Sequence, residues 1–228
     1  MRVLIVNTSE KTGGAAVAAN RLMEALINNG VKAKMLVGDK KTDEISVVPL
    51  PHKWAVKWHF LRERLSIFLR LHLQKKHLFE IDIANSGSDI TRLPEFKEAD
   101  VIHLNWINQG MLSLNNIRKI VKSGKPVVWT MHDLWAATGI CHYARTCPSF
   151  RTGCHNCTLL PLHGSANDLS RQIWERKKRL YQGSNIHFVT CSRWLEDQAK
   201  QSALLSGLRI SAIPKTRDTR FFCPIAKK

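Results

Sequence analysis

The residues best suited to bind a metal are four cysteines within a stretch of seventeen residues: Cys141, Cys147, Cys154 and Cys157. The last two form a Cys-x-x-Cys pair, and four soft thiolate ligands suit a tetrahedral zinc ion. Five residues separate the first two, so the spacing differs from that of a standard zinc ribbon. Two disulfides or a cluster of reduced thiols are the alternatives. If zinc binds here its role is structural, because four cysteines leave no open coordination position for a substrate.

Gly13 and Gly14 form a second candidate site, after an apolar run at 2–7 and at the start of a helical pattern. Small residues there let a phosphate approach backbone N–H groups at the positive end of the helix dipole. The segment lacks the GxGxxG spacing, so a dinucleotide is not indicated. A tight turn that binds no ligand needs similar glycines, and both interpretations stay open.

His132 and Asp133 directly follow an apolar run at 126–130 that predicts a strand. In a parallel sheet, the residues just beyond the carboxyl end of a strand face the ligand site. A histidine at this position could hydrogen-bond a sugar hydroxyl or a substrate carbonyl. The alternative is a structural histidine packed under a loop.

The elements that must position these residues alternate along the chain. Apolar runs predict strands at 2–7, 32–37, 100–104, 126–130, 186–190 and 208–213. Periodic patterns predict helices at about 15–29, 113–122, 165–181 and 192–201. Such alternation is typical of βαβ units around a parallel sheet. We therefore predict an α/β fold with a Rossmann-like parallel sheet flanked by helices.

Two stretches exceed a minimal α/β unit, and we interpret both as insertions into one domain. One is the loop at 140–161, which is rich in Cys, His and Gly. The other is a basic helical pattern at 51–79, whose apolar stripe comprises Trp54, Trp58, Leu61, Leu65, Phe68 and Leu69, with Lys53, Lys57, Arg64 and Arg70 around it. The helix either lies on an anionic membrane with its tryptophans at the interface, or is a core helix with solvated basic flanks.

Charge is the unusual feature of the composition: 35 Lys and Arg against 18 Asp and Glu give the 228 residues a formal net charge of +17. Such an excess attracts nucleic acids, anionic lipids or phosphorylated substrates without distinguishing among them. No apolar run is long enough for a membrane span, and the first residues do not read as a signal peptide. We therefore expect a cytoplasmic protein, in which the six cysteines are reduced or bound to metal.

Three segments, taken in order, carry a family resemblance: GGAAVAANRL at 13–22, HLNWIN at 103–108 and KPVVWTMHDLWAATGICHYARTCPSFRTGCHNC at 125–157. IPKTRDTRFF at 213–222 is a weaker match. Together they resemble the bacterial family 4 glycosyltransferases of capsule and exopolysaccharide synthesis. The long central segment is the most specific of them, because HDLW followed by this cysteine spacing is not a generic α/β pattern.

The resemblance implies a GT-B enzyme of hexosyltransferase type, in which two Rossmann-like domains enclose a cleft. Such enzymes retain the anomeric configuration and use a nucleotide-sugar donor, without a catalytic metal. Here the acceptor would be a glycan, lipid-linked, in surface polysaccharide synthesis. By motif, Gly13 and Gly14 would approach the donor diphosphate and His132 would contact the transferred sugar near its reacting carbon. The substrate-binding residues would also include Asn105, Trp106 and Asp133.

Under the same resemblance, residues 1–213 form the acceptor-side domain, and 214–228 form the hinge and the start of a donor-binding domain. Asn105 stands where similar proteins often have His, and Lys215 and Arg217 depart from the usual hinge motif. Residues 1–228 alone are expected to be inactive, and the protein to lie at the inner face of the cell membrane. One alternative is a zinc-containing nucleic-acid-binding module, although the sequence contains no recognised motif for binding DNA or RNA bases. The other is a non-catalytic membrane-associated remnant.

Overall fold

The computed structural model describes residues 1–215, except for the side chain of Lys53. The predicted hinge lies mostly outside the described residues, from position 216 onwards. The strands are β1 (Arg2–Ser9), β2 (Lys32–Asp39), β3 (Val47–Pro49), β4 (Val101–Leu104), β5 (Val127–Met131), β6 (Ile186–Thr190) and β7 (Arg209–Ala212). The helices are α1 (Gly14–Asn28), α2 (Lys53–Arg70), α3 (Pro94–Glu98), α4 (Leu114–Lys122), α5 (Leu169–Tyr181) and α6 (Arg193–Lys200). Three short 3₁₀ turns lie between β5 and α5, at Trp135–Ala137, Ser149–Arg151 and Pro161–His163.

All seven strands form one parallel sheet in the order β3-β2-β1-β4-β5-β6-β7. This arrangement confirms the predicted α/β, Rossmann-like fold. The strand order reverses its direction between β1 and β4, which are adjacent in the sheet although α1, β2, β3, α2 and α3 lie between them in the chain. In open α/β sheets, the crevice at such a switch point is the usual place for a ligand.

The apolar runs become strands because both faces of the sheet are covered. On β1, Leu4 and Val6 pack into the larger core cluster, whereas Val3 and Ile5 pack on the opposite face. Ala19 and Met23 of α1 complete the smaller cluster on that second face. The alternation follows from the strand geometry, in which successive side chains point to opposite faces.

Side-chain caps fix where several helices begin. The hydroxyl of Ser113 accepts from the backbone N–H of Asn116 and forms a capping box at the start of α4. Asp168 accepts from the backbone N–H of Arg171 at 3.0 Å, so α5 begins at Leu169 rather than at 165 as predicted. Neither β3 nor α3 was predicted, because elements of three and five residues carry almost no periodic signal.

The basic insertion forms a helix only as far as Arg70. His72 and Leu73 follow with φ values of 53° and 64°, in the left-handed region that ends a helix. The placement of Arg64 on a solvated flank was wrong, because this residue is 6% exposed and faces the protein interior. Along residues 1–215, no helix combines the length and the apolar character needed to cross a bilayer.

Candidate functional site

The switch point brings together the carboxyl end of β1 and the segment that follows β4. The side-chain oxygen of Asn7 accepts from the backbone N–H of Trp106 at 2.9 Å. The backbone N–H of Thr8 donates to the carbonyl of Trp106 at 2.8 Å, and the Thr8 hydroxyl reaches the carbonyls of Trp106 and Asn108, each at 2.9 Å. These bonds hold the loop after β4 in one position against the end of β1.

His132 follows β5 and points towards this same loop. Its Nε2 lies 3.1 Å from the side-chain Oδ1 of Asn105. A carbonyl oxygen only accepts hydrogen bonds, so Nε2 carries the proton and Nδ1 keeps its lone pair. Nδ1 is buried and has no hydrogen-bond partner among the described residues. His132 therefore has a buried acceptor without a partner among the described residues.

The imidazole of His132 is neutral at physiological pH. Burial, with the charge of Lys215 acting in the same direction, lowers its pKa to about 4. Burial also lowers the pKa of the neighbouring His103 to about 4, and the Nε2 of that ring lies 2.7 Å from the Thr130 hydroxyl. A neutral ring with a free Nδ1 is suited to accept a hydrogen bond from a hydroxyl group rather than to neutralise an anion.

Two buried amides add donors at the same edge of the sheet. The side chains of Asn105 and Asn108 are each 4% exposed, and the Nδ2 atom of each has no partner within residues 1–215. A buried donor without a partner costs about 1–3 kcal/mol, so a ligand or water that accepts from these groups is favoured. Free donors and a free acceptor on neighbouring loops match a ligand that is rich in hydroxyl groups.

The start of α1 is open. Gly13 has φ 87° and ψ 163°, and no side chain of the described residues caps this helix end. A Cβ atom added to Gly13 or Gly14 would meet nothing within 4 Å. The positive φ of Gly13 supports the interpretation as a tight turn, and the open space leaves room for the phosphate interpretation. Neither excludes the other.

A cleft of about 430 Å³ opens beside Trp106 and Asp133. The indole N–H of Trp106 donates to Oδ2 of Asp133 at 3.2 Å, which fixes the orientation of the ring. Two exposed aromatic residues of the insertions, Phe79 and Tyr143, line the cleft together with Arg145. Aromatic faces beside charged side chains form a surface that binds both the apolar and the polar sides of a ligand.

Comparison with known proteins decides the family. The sequence pattern of Glycosyltransferase Family 4 matches residues 12–221, which is most of the chain. The chain belongs to glycosyltransferase family 4. This membership confirms the resemblance that the HDLW segment and the loops at 13–22 and 103–108 carry.

Among the relatives of this family 4 chain is a protein of Escherichia coli strain K12 described as the putative colanic acid biosynthesis glycosyl transferase WcaC. The two are 26% identical over 210 residues, a match that covers 86% of this chain and 50% of the relative. The chain therefore spans about half the length of the curated relative that it matches.

Two solved structures are also similar to this family 4 chain. One is an alpha-glucosyltransferase in complex with UDP and a 13-mer DNA that contains an HMU base, with a TM-score of 0.39 and 10% identity over 96% of this chain and 43% of the other. The second is an alpha-glucosyltransferase (AGT) in complex with UDP, with a TM-score of 0.38 and 10% identity over 96% of this chain and 45% of the other.

Beneath the cleft lies a buried network of charged groups that the sequence did not predict. His142 bridges two carboxylates: its Nδ1 lies 2.7 Å from Asp133 and its Nε2 lies 2.7 Å from Asp82. Asp82 also pairs with the guanidinium of Arg64, and Glu63 lies beside that group. Burial acts to raise the pKa of Asp133, but the interaction with His142 and the hydrogen bonds from Trp135 and Trp106 together outweigh it, so this pKa is lowered. The network joins α2 to the HDLW segment of the family 4 chain.

The cysteine loop has free thiols at all four of its cysteines. Burial raises the pKa of Cys154 to about 12 and that of Cys157 to about 11, and the Cys154 sulfur accepts from the N–H of Gly139 at 3.1 Å. In the part of the chain that the structure describes, no group of three or more His, Cys, Asp or Glu side chains is arranged to hold a metal ion. Cysteine thiols are suitable ligands for zinc, but the four cysteines are not arranged around one metal position. The zinc site therefore stays a prediction.

A buried lysine holds the turn that follows Asp133 and was also missed. The ammonium of Lys177 donates to the carbonyls of Trp135 at 2.5 Å and Thr138 at 3.1 Å, and lies 3.5 Å from the centre of the Trp135 ring. From sequence alone, a lysine within an amphipathic helix is expected to be exposed to solvent. Lys177 is buried because α5 packs against the HDLW turn.

Proposed function

We propose that this family 4 chain is the acceptor-side domain of a retaining glycosyltransferase, which moves a sugar from a nucleotide-sugar donor to a glycan acceptor in surface polysaccharide synthesis. The observation that carries the proposal is the neutral His132, which lies beside Asn105 at the carboxyl edge of the sheet and whose buried Nδ1 has no partner among the described residues. This atom would accept a hydrogen bond from a hydroxyl of the transferred sugar near its reacting carbon. The unpartnered amides of Asn105 and Asn108 would donate to the same sugar.

The donor diphosphate would lie at the start of α1. Gly13 and Gly14 leave open space there, and the N–H groups of the first helical turn provide the positive end of the helix dipole. Family membership supports a nucleotide-sugar as the donor, and the open turn supports a ligand with phosphate groups. No step of this proposal uses a metal ion.

The cleft beside Trp106 would hold the acceptor glycan. Sugars present apolar C–H faces and hydroxyl edges, and the cleft offers the exposed rings of Phe79 and Tyr143 for the first. For the hydroxyl edges the cleft offers Asp133, whose lowered pKa keeps the carboxylate charged and able to accept hydrogen bonds from hydroxyl groups. A lipid-linked acceptor would place the protein at the inner face of the cell membrane.

The similar protein of Escherichia coli is about twice as long as this chain, and the match covers 50% of it. In a two-domain enzyme, the second domain would face the carboxyl edge of the sheet and supply groups that stabilise the departing diphosphate. Donors fixed in advance around such a charge contribute about 3–4 kcal/mol each to lowering the barrier. We therefore propose that residues 1–228 bind substrate groups but do not transfer sugar on their own.

Ligand binding by residues 1–228 tests the proposal. UDP-glucose and GDP-mannose would be added separately, and saturation-transfer NMR would detect protons of bound donor. We expect a signal that weakens in His132→Ala and persists in His187→Ala, a matched histidine on β6 whose Nε2 bonds to Ser211 at 2.9 Å. Absence of any signal with either donor, together with tight binding of a short RNA or DNA, would contradict the proposal and favour the nucleic-acid-binding module.

A further inference from the structure

Helix α2 presents a continuous apolar stripe to solvent. The members are Trp54 (80% exposed), Trp58 (64%), Leu61 (59%), Leu65 (57%) and Leu69 (57%). They recur at intervals of three and four residues, so they share one face of the helix. We call this set the α2 stripe. The interpretation of this segment as a core helix is wrong for the stripe, because large apolar side chains of a core helix would be buried.

The opposite face of α2 is buried and carries charge. Glu63 is 1% exposed, and its Oε1 accepts from the backbone N–H groups of Ile83 at 3.0 Å and Ala84 at 2.6 Å. Arg64 pairs with Asp82 and donates to the carbonyl of Leu78 at 2.6 Å. These bonds fix the rotation of the helix about its axis. The α2 stripe therefore cannot turn inward without leaving two buried charges unpaired, which is strongly unfavourable.

Basic side chains flank the stripe. Lys57 and Arg62 are exposed within the helix, Arg70 is exposed at its end, and Lys75 and Lys76 are exposed just beyond it. Glu63 is the sole acidic residue of α2, and it is buried. The face that surrounds the stripe is therefore positive, within a chain whose formal net charge is +17.

We infer that the α2 stripe docks on an anionic lipid bilayer, with the helix lying in the plane of the headgroups. Tryptophan side chains favour the boundary between headgroups and acyl chains, where the ring is in an apolar region and the indole N–H stays near water. Leu61, Leu65 and Leu69 enter the acyl boundary, while Lys57 and Arg62 contact lipid phosphates.

Charge distinguishes this occupant from a second copy of the chain. A two-fold contact through the stripe would bring the basic flanks of two copies together, which is unfavourable because like charges repel. An anionic surface instead neutralises both flanks. The inference concerns binding to lipid and not sugar transfer, so it stands or falls independently of the proposed function.

Cosedimentation with vesicles tests the inference on residues 1–228 without any sugar substrate. One set of vesicles contains phosphatidylcholine alone, and the other contains phosphatidylcholine with about a third phosphatidylglycerol. We expect binding to the second set only, and a decrease as the salt concentration rises from about 0.1 M to about 1 M. The Trp54→Ser/Trp58→Ser double variant should lower the partition coefficient about tenfold or more, whereas Trp54→Phe/Trp58→Phe should retain most of the binding.

Two matched controls isolate the stripe. Trp194→Ser removes an equally exposed tryptophan, 63% exposed on α6, and should bind vesicles like the unmodified chain. Arg62→Glu should weaken binding more than Lys122→Glu, which changes the net charge equally at an exposed position of α4. Unchanged binding by the Trp54→Ser/Trp58→Ser variant, or no binding to either vesicle, would overturn the inference. So would gel filtration that shows a dimer which this variant converts to a monomer.

Discussion

His132 and Asn105, from loops that follow adjacent strands, share one hydrogen bond of 3.1 Å between Nε2 and Oδ1. That bond assigns the ring proton to Nε2 and leaves Nδ1 as a buried acceptor at the carboxyl edge of the sheet. The Asn105 amide fixes the tautomer of His132 without adding a titratable group.

The first prediction concerns the charge state of His132. Asn105→Asp places a carboxylate beside the ring, and an opposite charge at this distance favours the protonated imidazole. The pKa of His132 should therefore rise from about 4 towards its ordinary value of 6.5. A histidine-selective NMR titration of residues 1–228 measures it. Asn185→Asp adds the same charge beyond the amino end of β6 and should leave this pKa in place. An equal pKa in all three proteins would show that Asn105 does not contact the ring.

A second prediction concerns stability against pH. Burial lowers the pKa of His103 from 6.5 to about 4, so the unfolded chain binds more protons than the folded chain between these values. The stabilisation is complete above pH 6.5 and is lost as the pH falls towards 4. A shift of this size corresponds to about 3 kcal/mol. Urea unfolding at several pH values should show that the free energy of unfolding falls less steeply with decreasing pH for His103→Gln than for the unmodified chain. The glutamine keeps a hydrogen-bond partner for Thr130. Parallel profiles for the two proteins would contradict the burial of His103.

A third prediction tests the buried network. His142→Ala removes the group that bridges Asp82 and Asp133 and leaves both carboxylates with fewer partners in the interior. Removing a hydrogen-bond partner from a buried polar group typically costs about 1–3 kcal/mol and more for a charged one, so the urea midpoint should fall. His155→Ala changes an exposed histidine of the same loop and should have little effect. If both variants unfold at the same urea concentration, the network does not hold α2 to the HDLW segment.

The fourth prediction is zinc in the cysteine loop. Protein purified without chelator should contain close to one zinc ion per chain if Cys141, Cys147, Cys154 and Cys157 rearrange around the metal. Elemental analysis should then show a loss of metal in Cys154→Ser and none in Cys191→Ser, a cysteine outside the loop. Chains that carry no metal and six titratable thiols, or that contain disulfides between these cysteines, would refute the zinc site.

Most of the sheet could be predicted because its strands are buried on both faces and read as apolar runs. The prediction at 186–190 coincides with β6 (Ile186–Thr190), and each other predicted strand lies within two residues of an observed one at both ends. β3 (Val47–Pro49) was missed because three residues at the sheet edge carry no distinct pattern. The start of α5 was also predicted incorrectly. The helix begins at Leu169, four residues after the predicted start at 165, because Asp168 caps it.

The position of the candidate site at the carboxyl edge of the sheet could also be predicted. Strands that run in parallel end at one edge, so Asn105, Trp106, His132 and Asp133 were expected to lie near one another. The buried charges were not predictable. Arg64 and Asp82 are eighteen positions apart, and His142 is sixty positions from Asp82, so their pairing depends on tertiary packing that no local pattern encodes.

Sugar transfer would be measured for residues 1–228 joined to the C-terminal half of the Escherichia coli relative. Product would be followed by mass spectrometry with UDP- and GDP-sugars, and its anomeric configuration by NMR. We predict retention of configuration, no transfer by residues 1–228 alone, and a loss of about 100-fold or more in kcat for His132→Ala, with His187→Ala close to the unmodified fusion. Robust transfer by residues 1–228 alone, or full activity of the fusion without His132, would contradict the account.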